Sequence, residues 1–317
     1  MNSPESILMD AENFCRYAKE QTGIAIDGKV SDDVFDPVIE AYMKKQGLSY
    51  DEAADRTASY WAFQSWRKTK AVYLFNDSLL AALRETEDTQ MHIEMMRRLP
   101  VSSFFISPKT ATPGTFLGAF ITVEISPDDT CLVGVVIISD HDEANHRIAS
   151  HQHCMRFAEG ESIETVVARL IESDYNQFAP EMKNSSFEYM YKEPLTMAVN
   201  AAYYLSAINS DVKAVKTAKG KKVSRPNGTK LTLRKWEVGY RIGATLSTKG
   251  KADREWDASE KVRHGTERPR PHLRRAHWHH YWCGEGRTRL EVRWIAPCFV
   301  NAESEEDLIA TEHKIEE

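Results

Sequence analysis

R-P-R-P-H-L-R-R-A-H-W-H-H-Y-W-C-G-E-G-R-T-R-L-E-V-R-W-I-A-P-C-F-V-N, from Arg268 to Asn301, is the stretch around which the rest of the chain is read. It holds three of the seven tryptophans and four of the eleven histidines, interleaved with arginines. Two arms of alternating character flank Gly284-Glu285-Gly286, so the residues from His272 to Ile295 predict a β-hairpin. On the return arm Leu290, Val292 and Trp294 alternate with Arg289, Glu291 and Arg293. Strand geometry sorts the outgoing arm into two faces. One carries His272, Arg274, Ala276, Trp278, His280 and Trp282; the other carries Leu273, Arg275, His277, His279, Tyr281 and Cys283. Large rings paired across strands predict that Trp278, Trp282 and Trp294, with Gly284 at the turn, form the scaffold of the hairpin. That leaves His272, Arg274, Arg275, His277, His279, Tyr281 and Arg293 as candidates to read a peptide or an RNA strand, because arginine beside aromatic rings suits either.

Upstream of the hairpin, W-E-V-G-Y-R-I-G-A-T-L (Trp236–Leu246) has an ordered pattern that fits helix and strand equally. Lys213 to Lys230 is rich in lysine, punctuated by Gly and Pro and free of acids, which predicts an exposed loop. Pro194, at a first-turn position, opens a predicted helix carrying Leu195, Ala198, Val199, Ala202 and Leu205. Ser162 caps another, whose apolar stripe is Ile163, Val166, Val167, Leu170 and Ile171. Leu117–Ile125 and Cys131–Ser139 read as strands joined by Ser126-Pro127-Asp128-Asp129-Thr130, and Arg147–Phe157 adds a third antiparallel strand.

The first hundred residues read as helical. Ser31 caps a helix with Phe35, Val38, Ile39 and Tyr42 on one face, and Gly47 ends it. A second runs from Ser49 through Tyr60, Trp61, Phe63 and Trp66. A third carries Leu74, Leu79, Leu80 and Leu83, and a short fourth covers Thr89–Leu99 before Pro100. The expected fold is therefore α+β: a helical region over 1–99, then a core over 100–301. That core is an antiparallel sheet with packed helices and the C-terminal hairpin, and an acidic tail follows over 302–317.

The net charge of −6 conceals a segregation of sign. Between Val212 and Trp294 there are 22 Lys and Arg against 8 Asp and Glu, a balance of +14 that leaves −20 on the remainder. Such a segment attracts a polyanion, RNA or the ribosome surface, through the basic residues 213–275. Folding of the acidic parts against it would cancel the effect. The five cysteines are widely spaced with no C-x-x-C pair, which reads as reduced thiols in a cytoplasmic protein. The longest apolar run, Cys131 to Ile138, is too short to span a bilayer, and no membrane partner is expected.

No Walker loop, G-x-S-x-G, H-E-x-x-H or G-x-G-x-x-G occurs, which removes the common nucleotide, hydrolase and zinc-protease readings. His277, His279 and Cys283 share a strand face but match no usual zinc spacing, so no metal and no cofactor are expected. The cluster His141, His146, His151, His153 and Cys154 reads in the same way as solvated strand and loop. No catalytic residue is assigned. The alternative in which the protein is an enzyme is a ribonuclease using His277 and His279 as acid and base.

P-H-L-R-R-A-H-W-H-H-Y-W-C-G, followed by R-W-I-A-P-C-F-V-N, resembles the C-terminal signature of a type V-A anti-CRISPR family, the second of the AcrVA series, with related proteins on plasmids and phages. The matching positions are Pro271, His272, Arg274, Arg275, His277, Trp278, His279, Tyr281, Trp282 and Gly284. The resemblance implies a protein of a mobile element that lowers production of a type V-A CRISPR effector nuclease. It would recognise the nuclease's nascent N-terminal peptide, with loss of the encoding mRNA. A plasmid-encoded regulator that binds nucleic acid is the further alternative.

Overall fold

The computed structural model describes residues 65 to 300 apart from 67, 111–115, 143–146, 179–184, 216–222, 225–229, 232, 244–245 and 247–271, together with positions 20, 44 and 47. Most of the two helices expected from Ser31 to Trp66 lies outside these residues, though Gly47 is in a turn and the expected end of the second, at Ser65 and Trp66, is helical; most of the 213–230 loop and the acidic tail also lie outside.

The fold is α+β, built on a sheet of seven strands. They are β1 (Ala71–Phe75), β2 (Ser103–Pro108), β3 (Phe116–Ile125), β4 (Cys131–Asp142), β5 (Arg147–Phe157), β6 (Val212–Ala214) and, after two short strands, β9 (Arg234–Val238). Their order across the sheet is β5-β4-β3-β2-β1-β9-β6. The meander β3–β4–β5 is antiparallel as the alternation predicts, and Ser126 N donates to Thr130 O at 2.9 Å to close its first turn. The sheet as a whole is mixed rather than antiparallel, because β1 pairs parallel with both β2 and β9. A parallel pair needs a crossover. Helices α1 (Asp77–Arg84) and α2 (Ile93–Met96) provide the one from β1 to β2.

β1 corrects the helix expected around Leu74. Its sequence A-V-Y-L-F is buried on both faces, and a short apolar run of that kind carries no period to separate strand from helix. The helix starts two residues later, where Asn76 caps it by accepting from Ser78 N at 3.0 Å. The sheet therefore draws on residues before 100.

Ser162 caps α3 (Ile163–Phe178) as expected, its Oγ accepting from Thr165 N at 3.1 Å. α4 spans Ser185–Ser206, so Pro194 lies inside the helix and does not open it. A proline removes one i→i−4 bond, and the fully buried run Leu195, Ala198, Val199, Ala201 and Ala202 beyond it supplies tertiary packing that outweighs the loss.

The helices cover one face of the sheet. There Tyr73, Phe75, Phe104, Ile106, Ile121, Val133 and Val135 share a single apolar cluster with Leu79, Met95, Val166, Tyr203 and Tyr204. On the other face Val72, Phe105, Phe120, Val136 and Ile138 are buried, with Trp66 edge-on to Phe120 at 6.0 Å. Gly118 is a steric requirement: a Cβ there would come within 2.6 Å of Ile106 O and still closer to the Phe105 ring. Trp236–Leu246 resolves into β9 followed by a turn at Gly239, whose φ of +75° suits glycine. β7 (Val223–Ser224) and β8 (Lys230–Leu231) pair within the basic segment. No helix among the described residues is long and apolar enough to cross a membrane.

The C-terminal hairpin is present, as two ladders that keep a single register. β11 (His277–Cys283) pairs with β12 (Arg289–Ile295), and β10 (His272–Arg274) pairs with β13 (Cys298–Val300). Arg275-Ala276 and Ala296-Pro297 interrupt the two arms. The turn holds a 3-10 segment at Glu285–Arg287, with Gly284 at φ +83° and Gly286 at φ +71°.

Candidate functional site

Residues paired across the hairpin project to the same side, so its two faces follow from the register. Trp278 faces Trp294, His280 faces Val292 and Trp282 faces Leu290; on the opposite side His279 faces Arg293, Tyr281 faces Glu291 and Cys283 faces Arg289. The first face docks on α4. Trp278 packs edge-on to Tyr203 at 4.8 Å, and Trp294 packs edge-on to Tyr204 at 5.7 Å. Each buried indole N–H is satisfied: Trp278 Nε1 donates to Asn200 Oδ1 at 3.0 Å, and Trp294 Nε1 donates to Thr86 Oγ1 at 3.1 Å. Asn209 holds the Trp294 backbone twice, donating to its O at 2.8 Å and accepting from its N at 3.1 Å. The hairpin is thus fixed on the helical layer along both arms.

Two residues of the hairpin sit differently from the expectation. Trp282, expected in the scaffold, is 56% exposed, because it stands at the turn end while its partner Leu290 stays buried. His277, expected on the recognition surface, is buried, and its Nδ1 lies 3.2 Å from Arg275 O. The strand alternation breaks here. After Arg275 the chain turns inward, and Ala276, His277 and Trp278 are buried in succession. His277 and His279 are therefore two positions on one strand, one inside and one outside, and do not oppose each other across a cleft.

The outward face keeps His279, Tyr281 and Arg293 together. His279 stacks on Tyr281 at 4.1 Å with planes 25° apart, and the Arg293 guanidinium lies 5.4 Å over the same ring. Glu291, buried between them, accepts from Arg289 at 2.7 Å. The ring, the imidazole and the guanidinium are thus held before any partner arrives. Arg274 and Arg275 are exposed at the base of the hairpin, and the side chain of His272 lies outside the described set. Arg275 lines a cleft of about 520 Å³ between α1, α3 and α4, beside Glu87, Asp88, Glu164, Lys192 and Asn200.

A histidine contact that the sequence does not announce joins the hairpin to α2. The rings of His280 and His92 meet edge-on at 4.9 Å, and His92 Nδ1 lies 2.6 Å from Glu159 Oε1. The other oxygen of Glu159 accepts from Ile93 N at 2.9 Å. Burial, then the neighbouring His92 and His279, hold the His280 imidazole below its ordinary pKa, while the Gln90 backbone works the other way. His280 Nε2 is buried and finds no hydrogen-bond partner among the described residues. Among those residues no three His, Cys, Asp or Glu side chains converge as a metal site requires.

Comparison with known proteins returns a family and a structure. The family model described as AcrVA2-like, anti-CRISPR type V subtype A2, matches residues 73–302. The crystal structure of AcrVA2 is similar over 92% of this chain and 95% of its own, at 13% identity and a TM-score of 0.47. No curated protein sequence matches. The family match spans most of the chain, from β1 through the end of the signature hairpin, and the chain belongs to the AcrVA2-like family of type V subtype A2 anti-CRISPR proteins.

Proposed function

We propose that this anti-CRISPR protein lowers the biosynthesis of a type V-A effector nuclease by recognising the nuclease's N-terminal peptide as it leaves the ribosome, with loss of the encoding mRNA. Family membership supports the anti-CRISPR activity against type V-A systems. The observation that supports peptide recognition is the pre-stacked set of His279, Tyr281 and Arg293 on a hairpin pinned to the core. A fixed aromatic and arginine surface binds an extended peptide with little further ordering. The basic segment 213–275 draws the protein to the ribosome or its RNA in the cytoplasm.

The test uses ribosomes stalled with the effector's N-terminal peptide or with an unrelated peptide, asking which retain the full-length protein. Selective retention is expected. Tyr281→Ala combined with Arg293→Ala, both at exposed positions, should abolish retention while leaving the melting temperature within about 2 °C, as surface substitutions do. Equal retention by both peptides ends the proposal.

A further inference from the structure

At the β6 edge of the sheet, far along the chain from the hairpin, cations gather on aromatic rings. Tyr240, 38% exposed, follows the Gly239 turn, and Lys213 Nζ and the Arg241 guanidinium lie over its ring at 5.3 and 5.2 Å. On β9, Arg234 lies 5.2 Å over Trp236, whose ring stacks at 5.0 Å on the buried Tyr73. Trp236 is therefore anchored in the core, and the turn that places Tyr240 is fixed separately, Gly239 N donating to Asp211 O at 2.8 Å.

Arg241 is held in an unusual way. Asp211, buried, accepts from the backbone N of Arg241 at 2.6 Å, from Ile242 N at 3.1 Å and from Arg241 Nε at 3.0 Å. That fixes one edge of a guanidinium whose side chain is 74% exposed, and leaves its two terminal nitrogens for a ligand. A guanidinium immobilised on one side is a ready fork for the two oxygens of a phosphate. Lys213 adds a second charge over the same ring, and the nearby carboxylate Glu237 is engaged by Lys109 at 3.3 Å. Like charges crowded on one ring repel, and an anion set between them relieves the repulsion.

We propose that this corner grips the phosphodiester backbone of a single-stranded RNA, with the Arg241 fork and Lys213 on phosphate oxygens and Tyr240 as the platform that positions both. The balance of +14 over Val212–Trp294 favours a polymer that carries a charge at every unit over an acidic peptide with scattered carboxylates. The choice of RNA rests on the proposed function, in which the messenger lies close to the nascent chain.

The full-length protein is titrated with a fluorescein-labelled oligouridylate of about 12 nucleotides, within the usual range for single-strand sites, and anisotropy is followed over a salt series. Lys213→Ala is expected to reduce the slope of log K against log salt by about 0.7, the value for one single-strand phosphate contact. Arg241→Lys keeps the charge and should keep the slope, but it loses the fork and should bind about 10-fold more weakly. Polyglutamate of equal length should fail to compete. Unchanged slope and affinity in both variants, or competition by polyglutamate equal to that by RNA, overturns the proposal. If Arg241→Lys lowers the melting temperature, Lys213→Ala at an exposed position decides alone. Retention on stalled ribosomes is scored with the same variants at high salt. A parent protein that is retained selectively by the effector peptide but does not bind the oligouridylate shows that the RNA reading has failed, and one that binds the oligouridylate but is retained equally by both peptides shows that the peptide reading has failed.

Discussion

Replacing Asn200 by alanine tests whether the hairpin is held by a specific polar bond or by apolar contact alone. Asn200 is 3% exposed and accepts the Trp278 indole N–H at 3.0 Å, while its amide donates to Leu83 O at 3.2 Å. Leu83 O keeps a second donor, Thr86 N at 3.4 Å, so the principal loss falls on the indole. A buried donor left without a partner costs about 1–3 kcal/mol, and the vacated amide volume adds to that. A total near 2.5 kcal/mol, at about 2–4 °C per kcal/mol for a domain of this size, lowers Tm by about 5–10 °C. The assay is thermal and urea unfolding of Asn200→Ala, Trp278→Phe and the double variant. Phenylalanine has no N–H to orphan, so Asn200→Ala should cost about 1–2 kcal/mol less in that background. Equal costs in the two backgrounds, within about 0.5 kcal/mol, would refute the reasoning. The hairpin would then be held by ring packing on Tyr203 and Tyr204 without help from the bond.

Acid should loosen the same hairpin. The folded state holds His280 below its ordinary pKa and so prefers the neutral ring. Its contribution is full above the unfolded value near 6.5 and is lost as pH falls through that value toward the folded one. Protection of the β11 amides, measured against the intrinsic exchange rate at each pH, should fall between pH 7.5 and 5.5, and His280→Phe should flatten the profile; an unchanged profile counts against the contact with His92. Gly118→Ala should cost about 1–3 kcal/mol by overpacking, since the added methyl meets the Ile106 carbonyl and the Phe105 ring. Urea unfolding indistinguishable from the parent would show that β2 and β3 separate more easily than the register implies.

The meander, the Ser162 cap and the apolar stripe of α4 were legible because each is written in a local period of two or 3.6 residues. β1 was not, since A-V-Y-L-F is apolar throughout, and its parallel neighbours β2 and β9 are chosen by tertiary topology that no local pattern records. The same limit explains the site. The faces of β11 followed from alternation, and His279, Tyr281 and Arg293 emerged together on one of them. The inward turn at Ala276–His277, where Ala276 O accepts from Glu87 N at 2.8 Å, and the exposure of Trp282 at the turn end depend on tertiary placement that alternation does not record. His92, Glu159, Asn200 and Thr86, which support the hairpin, carry no signature of that role in their own surroundings.

The bond from Trp294 to Thr86 joins residues 208 positions apart. It therefore sets a schedule for the protein's own synthesis. At about 5–20 residues per second, the chain from the end of α4 at Ser206 to Trp294 takes roughly 4–18 s to make. Tyr204 lacks the indole that covers it throughout that interval, and Tyr203 lacks its own until Trp278 is made. The hairpin that carries the proposed recognition surface is also the lid of the core, so a copy truncated before residue 294 would lack the proposed surface and leave Tyr204 uncovered. On the proposed function, the surface is complete only once Arg293 has been added, and a half-made copy would not compete for the target.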